Sequence, residues 1–234
     1  MKANKQITNH KSQIDKYLIL GDYDKAAILY EKQISLEPNV VSHYWHLGLI
    51  RLLQGQEIEA QMTWMIPLAE IETEHIDNLT AELTAILQIE AERRKDIKDY
   101  QTAWLIRQHI REINPEDLNN LLNIIQLSSH IDIYKDEELP LYKVSTVIKT
   151  KKNINCECDL LLETISQVLD VYPLLTSTYD FIEACIKNTN NLSQIINIIS
   201  NKAGLFLNNL ADERLKKLTE NFLKAANQNI EILV

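Results

Sequence analysis

The cysteines are the residues of this chain best suited to metal or nucleophilic chemistry. Cys156 and Cys158 stand one residue apart, and two thiolates at that spacing can share a soft metal ion. A zinc site normally needs four ligands, but the chain has no second cysteine pair, and His109 and His130 are far away in sequence. We therefore interpret the pair as incidental and predict no metal site. Cys185 lies on the apolar face of FIEACIK and is typical of a small core residue.

The other polar clusters favour structural roles over catalysis. His43 and His46 stand at i and i+3 and could ligate together, but they flank a repeat motif around Gly48. Acidic pairs such as Glu72 and Glu74 lie in strongly polar stretches typical of solvated faces. The chain has no G-x-S-x-G, phosphate-loop or dinucleotide fingerprint, and only 4 glycines from which to build one. We predict no catalytic residue and no cofactor.

Composition favours an acidic, helical, cytoplasmic protein. Only 4 glycines and 5 prolines interrupt 234 residues rich in helix formers. The net charge is −9, and the densest basic patch, Glu92 to Lys98, is interrupted by acids, so nucleic acid is not an expected partner. The polar N-terminus lacks the apolar core of a signal peptide, and no run of about 18 apolar residues predicts a membrane span. Three cysteines form no disulfide framework.

Residues that recur at an interval of 34 predict the helices on which any functional residue would lie. The interval separates Gly21 from Gly55 and also separates two alanines and two aromatic residues: Ala26 and Ala60, Tyr30 and Trp64. This is the period of the tetratricopeptide repeat, a helix–turn–helix unit that stacks into a binding scaffold. The glycines suit the turns, the alanines suit close helix crossings, and the aromatic residues suit the wedge between repeats. Gly48 is the corresponding small residue of a first helix, where its neighbour approaches.

Further units follow with looser spacing. Tyr23, Ala26 and Pro38 are echoed 77 residues later, against the 68 expected from two periods (34 + 34), as Tyr100, Ala103 and Pro115. About nine extra residues (77 − 68) therefore lengthen a helix or loop around Pro67 to Asn78. A fourth first helix is predicted at Leu118 to Ile131 from its helical apolar rhythm.

These patterns predict three regions. Residues 1–139 form the repeat array, residues 140–158 form an irregular connection in which VSTVI could also extend a helix, and residues 159–234 form a C-terminal helical segment. The C-terminal helices lack the glycine and alanine spacing of the first half. They are either degenerate repeats or a capping bundle over the end of the array.

The concave groove of such an array is the predicted site. First helices line that surface, and the second unit places there an apolar stripe of Trp45, Leu49 and Leu52. Lys11 and Gln88 occupy inward positions in the units on either side. We predict these five residues as partner-binding. The alternative for Trp45 is that it packs between repeats.

The repeat region also resembles a more specific family. It is similar to the N-terminal region of bacterial SPINDLY-like glycosyltransferases, which resemble O-linked N-acetylglucosamine transferases, in YLILGDYDKAAILYEKQISLEP, SHYWHLGLIRLLQGQEIEAQMTW and AWLIRQHIREINPEDLNNLLNIIQLS. The resemblance implies a catalytic domain after the repeats that uses a nucleotide sugar. The chain stops at Val234, too early for that domain, and we transfer no catalytic residue. Chaperone-tail binding is not expected, because the clamp positions hold Asp15, Trp45 and Glu92 instead of Lys, Asn and Arg.

We therefore predict an all-α fold, a tetratricopeptide-like α-α superhelix continued by a C-terminal helical segment. Its predicted function is that of a non-enzymatic scaffold that binds a protein or peptide in the concave groove. Two alternatives stay open. The chain is the substrate-presenting region of a SPINDLY-like glycosyltransferase, or it self-associates through the amphipathic segment from Asp212 to Leu233.

Overall fold

All regular structure in the described part of the chain is helical, which confirms the predicted all-α class. The computed structural model describes residues 16–69, 73–131, 139–150, 158–172 and 175–188, together with 194–195, 197–199 and 201–202. Residues 16–20 are helical. The helices that follow are α1 (Tyr23–Leu36), α2 (Val41–Leu53), α3 (Glu57–Met65), a 3-10 turn (Ile66–Leu68), α4 (Thr73–Asp96), α5 (Tyr100–Ile113), α6 (Leu118–Ser128), α7 (Leu139–Thr150), α8 (Cys158–Val171) and α9 (Thr176–Asn188).

Gly21 and Gly55, separated by the 34-residue period, end their helices in the same way. Their φ angles are 72° and 79°, in the left-handed region that glycine enters at little steric cost. In both turns the residue after the glycine donates its N–H to the carbonyl five residues earlier, at 2.9 Å. The glycine N–H bonds three residues back, which completes a Schellman motif. The two turns of the predicted repeat therefore share their hydrogen bonds as well as their residue types.

Gly48 and Trp64 fix the contact between α2 and α3. A Cβ built on Gly48 would lie 2.1 Å from Nε1 of Trp64, so no larger residue fits unless the indole moves. The same Nε1 donates a hydrogen bond to the backbone carbonyl of Trp45 at 3.1 Å. Ala60, one turn earlier in α3, is fully buried. Gly48 therefore lies where its neighbouring helix approaches, as predicted, whereas these contacts of Trp64 are within its own hairpin and not in the predicted wedge between repeats.

The extra residues between the second and third units lengthen a helix. α4 has 24 residues, whereas α2 has 13. Near its end the buried Glu90 accepts hydrogen bonds from Arg93 at 2.8 and 2.6 Å and from Arg94 at 2.7 Å. The two hydrogen bonds from Arg93 to Glu90 raise the pKa of Arg93 above its ordinary value. Arg94 also donates to the hydroxyl of Tyr23 at 2.6 Å, which ties α4 to the start of α1.

Lys98 takes the backbone conformation that glycine takes in the earlier turns. It stands 77 residues after Gly21 (98 − 21), the offset of the third repeat. Its φ is 64°, and it is the non-glycine residue with positive φ in the described part of the chain. The turn geometry of the repeat thus persists although the glycine does not.

Contacts divide the chain into two units, Met1–Ile97 and Lys98–Val234, so the observed division differs from the predicted boundary at residue 139. In the second unit α6 is the central helix and contacts α5, α7 and α8, while α9 packs on α7. Every residue from Leu121 to Ser128 is buried. The apolar core extends from α6 through α9 to Ile195 and Ile199.

Polar side chains are also buried around α6, and two sets of hydrogen bonds there join α5 to α6. Asn120 accepts a hydrogen bond from the Arg107 guanidinium at 3.2 Å and donates one to the Arg107 carbonyl at 3.0 Å. Trp104 donates its indole N–H to the hydroxyl of Ser128 at 3.1 Å. These bonds join α5 to α6 with fixed geometry, because an unmatched polar group would be costly there.

The prediction of an irregular connection over residues 140–158 is wrong for its first part. α7 covers Leu139–Thr150. Pro140 is the second residue of this helix, and proline is tolerated in the first turn, where its missing N–H is not needed. The β-branched residues lower helix propensity only slightly, and burial of Val144, Val147 and Ile148 outweighs that cost. Residues 151–157, including Cys156, and the amphipathic segment from Asp212 to Leu233 lie outside the described residues.

Candidate partner-binding surface

The predicted groove residues of α2 are core residues in this structure. Trp45, Leu49 and Leu52 are 0%, 5% and 2% exposed. The reason is that α1, α3 and α4 all contact α2; Glu82 of α4 accepts a hydrogen bond from the Trp45 indole at 3.3 Å. The expectation of a solvent-facing apolar stripe on α2 is therefore corrected, and of the two readings for Trp45 the structure has the packed one.

Of the other two predicted partner-binding residues, the structure describes one. Gln88 is half-buried in α4. Lys11 lies outside the described residues. A binding role for either one stays a prediction.

A different apolar surface lies on α3 and the 3-10 turn after it. Ile58, Met62, Met65 and Ile66 are 54–70% exposed and stand at i, i+4, i+7 and i+8. The first three lie within about 60° around the helix, at 100° per residue. The opposite face of α3 is buried through Ala60, Thr63 and Trp64. We call these four exposed side chains the α3 stripe.

The charge around the α3 stripe is negative. Glu57 and Glu59 lie in the first turn of α3 and are exposed. From Leu52 to Glu92 the sequence carries nine Asp and Glu residues and no Lys or Arg, but of these acids only Glu57 and Glu59 lie on α3, and Glu90 on α4 is paired with Arg93 and Arg94. The preceding cation, Arg51, donates to Thr63 at 2.6 Å and to Glu31 at 3.3 Å, so it is held on the buried side of α3. The α3 stripe thus combines an apolar ridge with an acidic border.

Sequence reasoning missed this surface although the signal was present. The spacing of Ile58, Met62 and Met65 is a helical period. Ala60 and Trp64, which lie on the other face, were predicted as scaffold residues, and the whole helix was therefore assigned to the scaffold. A check of both faces for apolar residues would have found two stripes, and two apolar faces on one helix indicate a second contact.

The histidine pair serves the scaffold. The His46 ring stacks on Tyr30 with centroids 5.3 Å apart, and its Nδ1 donates to the Ser42 carbonyl at 2.7 Å. His43 lies with its Nε2 3.3 Å from a Glu37 carboxylate oxygen. Among the residues that the structure describes, no group of three or more His, Cys, Asp or Glu side chains could hold a metal ion. Cys185 is buried in the core of the second unit, as predicted.

Within the described ranges, no helix is both long and apolar enough to cross a membrane. A scan against protein-family models found no match, and a search of curated proteins found none either. The resemblance to SPINDLY-like glycosyltransferases is therefore not confirmed. A search of solved structures found similarity to the crystal structure of MamA, with 16% sequence identity over 93% of this chain and 94% of that chain and a TM-score of 0.29. At that TM-score the likeness carries no argument, and the fold rests on the helices, turns and contacts described above.

Proposed function

We propose that this chain is a non-enzymatic protein-interaction module that binds its partner through the α3 stripe. The observation that carries the proposal is the exposure of three large apolar side chains on one face of α3 and of a fourth, Ile66, in the turn that follows. Exposed apolar residues are common singly, but a contiguous stripe with a polar border is typical of an interaction site. The proposal keeps the predicted protein-binding function and moves it from the concave face of α2 to α3.

The chemistry of the stripe also suits recognition of a protein surface. Methionine side chains are flexible and polarizable, so they adapt to an apolar partner better than branched residues do. Two of the three methionines of the chain are Met62 and Met65, and the third is Met1. This distribution makes the surface accessible to methionine-specific chemistry.

Photo-crosslinking through methionine tests the proposal. The full chain is produced in its own cells with a diazirine analogue of methionine, irradiated, and searched for adducts at Met62 and Met65. We expect one protein to be crosslinked at these positions. The matched control is Met62→Leu/Met65→Leu, which keeps the surface apolar but removes both photoreactive groups and should abolish the adduct.

Binding itself is then measured with the purified partner and Met62→Gln/Met65→Gln. These side chains are exposed, so the stability of the protein should change by less than about 0.5 kcal/mol, while affinity should fall by about tenfold or more. Adducts only between copies of this chain would favour the self-association alternative. An absence of adducts at both positions would overturn the proposal.

A further inference from the structure

The stripe and its acidic border together indicate what kind of segment would fit. From Ile58 to Ile66 the stripe extends eight residues (66 − 58), roughly 12 Å at the helical rise. That is the length of about two turns on a partner helix that packs alongside α3 with residues spaced by three and four. An apolar ridge of this length matches one face of an amphipathic helix.

Charge decides between the possible occupants. Exposed Glu57 and Glu59 border the stripe, and the surrounding sequence from Leu52 to Glu92 has no Lys or Arg. An isologous contact between two copies over the stripe would add the same two acids from each copy and no opposite charge, so it lacks charge complementarity. An anionic membrane surface would be repelled by the same acids. A helix that carries Lys or Arg beside its apolar face meets opposite charges instead.

The amphipathic segment of this chain is a poorer match. Between Asp212 and Leu233 it carries four Lys or Arg residues and four Asp or Glu residues. Its net charge is therefore zero (4 − 4), and it offers no charge complementarity to the acidic border.

Resting on the proposed function, we infer that the partner segment is a basic amphipathic helix of another protein, whose apolar face packs on Met62 and Met65 and whose Lys or Arg residues face Glu57 and Glu59. The apolar contact supplies most of the affinity, because it removes the stripe from water. The charges supply selectivity and a faster association rate, and both effects weaken as salt rises.

Designed peptides of about 18 residues, five helical turns, are the probes. The first is a Leu/Ala/Lys helix with leucines on one face and lysines beside them. The second replaces every lysine with glutamate, and the third scrambles the first so that no apolar face forms. The full chain labelled with ¹³C at its methionine methyl groups is titrated with each peptide, and dissociation constants are measured by fluorescence anisotropy.

We expect the basic amphipathic peptide to shift the Met62 and Met65 methyl signals and to bind about tenfold tighter than the other two, a difference of roughly 1.4 kcal/mol. Met62→Gln/Met65→Gln should weaken its binding by about tenfold. Glu57→Gln/Glu59→Gln should weaken it by about threefold and reduce its salt dependence. The matched control is Ile89→Gln, since Ile89 is 71% exposed in the same acidic stretch but outside the stripe; it should change affinity by less than about twofold.

The outcomes separate this inference from the proposed function. Equal or tighter binding of the glutamate peptide, with the same methyl shifts, would overturn the basic partner and leave the surface in place. The inference would also be overturned if the basic peptide bound the α3 variants as tightly as the unchanged chain, or if none of the peptides bound. In both cases the photo-crosslinking experiment decides the proposed function independently.

Discussion

The two units of this chain join their helices with different side chains. In the first, α2 and α3 meet where the absent side chain of Gly48 leaves room for the Trp64 indole. In the second, α5 and α6 meet through reciprocal hydrogen bonds between Arg107 and Asn120. Close packing at a glycine leaves a residue pattern that recurs in the sequence at the repeat period. A buried polar pair leaves no such pattern. The contrast explains why the exact 34-residue echo is confined to the first unit, whereas the start of the second unit carries only the looser 77-residue echo.

The largest effect should come from filling the space at Gly48. In Gly48→Ala the new methyl group would meet Trp64 at 2.1 Å, so the indole must move and give up its bond to the Trp45 carbonyl. We expect a loss of about 3 kcal/mol in the free energy of unfolding, measured by urea denaturation. Adding Trp64→Leu should recover part of that loss. Unchanged stability of the single variant would show that this hairpin does not depend on close packing at glycine.

The next effect should come from breaking the polar pair in the second unit. Asn120→Ala removes both hydrogen bonds to Arg107 in a buried site and should cost about 2 kcal/mol. The matched control is Asn119→Ala on the exposed side of the same helix, where the cost should stay within about 0.5 kcal/mol. Equal losses in the two variants would mean that the second unit is held by its apolar core alone, and the contrast between the units would weaken.

The smallest effect concerns the turns. Lys98 has a φ of 64°, a conformation that a residue with a Cβ adopts at a cost, so Lys98→Gly should stabilise the chain by about 1 kcal/mol. Gly55→Ala is the reverse experiment, because a Cβ there meets nothing within 4 Å and only the φ of 79° opposes it; it should destabilise by a similar amount. Urea denaturation measures both, and a stability loss in Lys98→Gly would contradict the equivalence of the three turns.

The features that depend on local chemistry were predictable. Gly21 and Gly55 mark turns because few other residues adopt positive φ, and the helical period located α6 closely. The left-handed conformation of Lys98 was not predictable from its type, although the 77-residue offset pointed to that position. α7 was missed because Pro140 and its β-branched residues favour other structures, and tertiary burial decided against them.

The site was harder to predict because exposure is a property of the packed molecule. Trp45, Leu49 and Leu52 form the same pattern whether they line a groove or a core, and only the packing of the neighbouring helices distinguishes the two. Ile58, Met62 and Met65 carried a usable signal in their spacing. The sequence could not show that these three side chains are exposed in the described structure whereas Trp45, Leu49 and Leu52 are buried.

The burial of α6 has a consequence for the dynamics of the second unit. Because every residue from Leu121 to Ser128 is buried, this part of α6 cannot fray into water one turn at a time, so its amide protons should exchange with solvent only when the surrounding helices open together. α3, with one face in water, should exchange by local opening. Hydrogen exchange along the chain would then read out cooperative opening through α6 and local opening through α3.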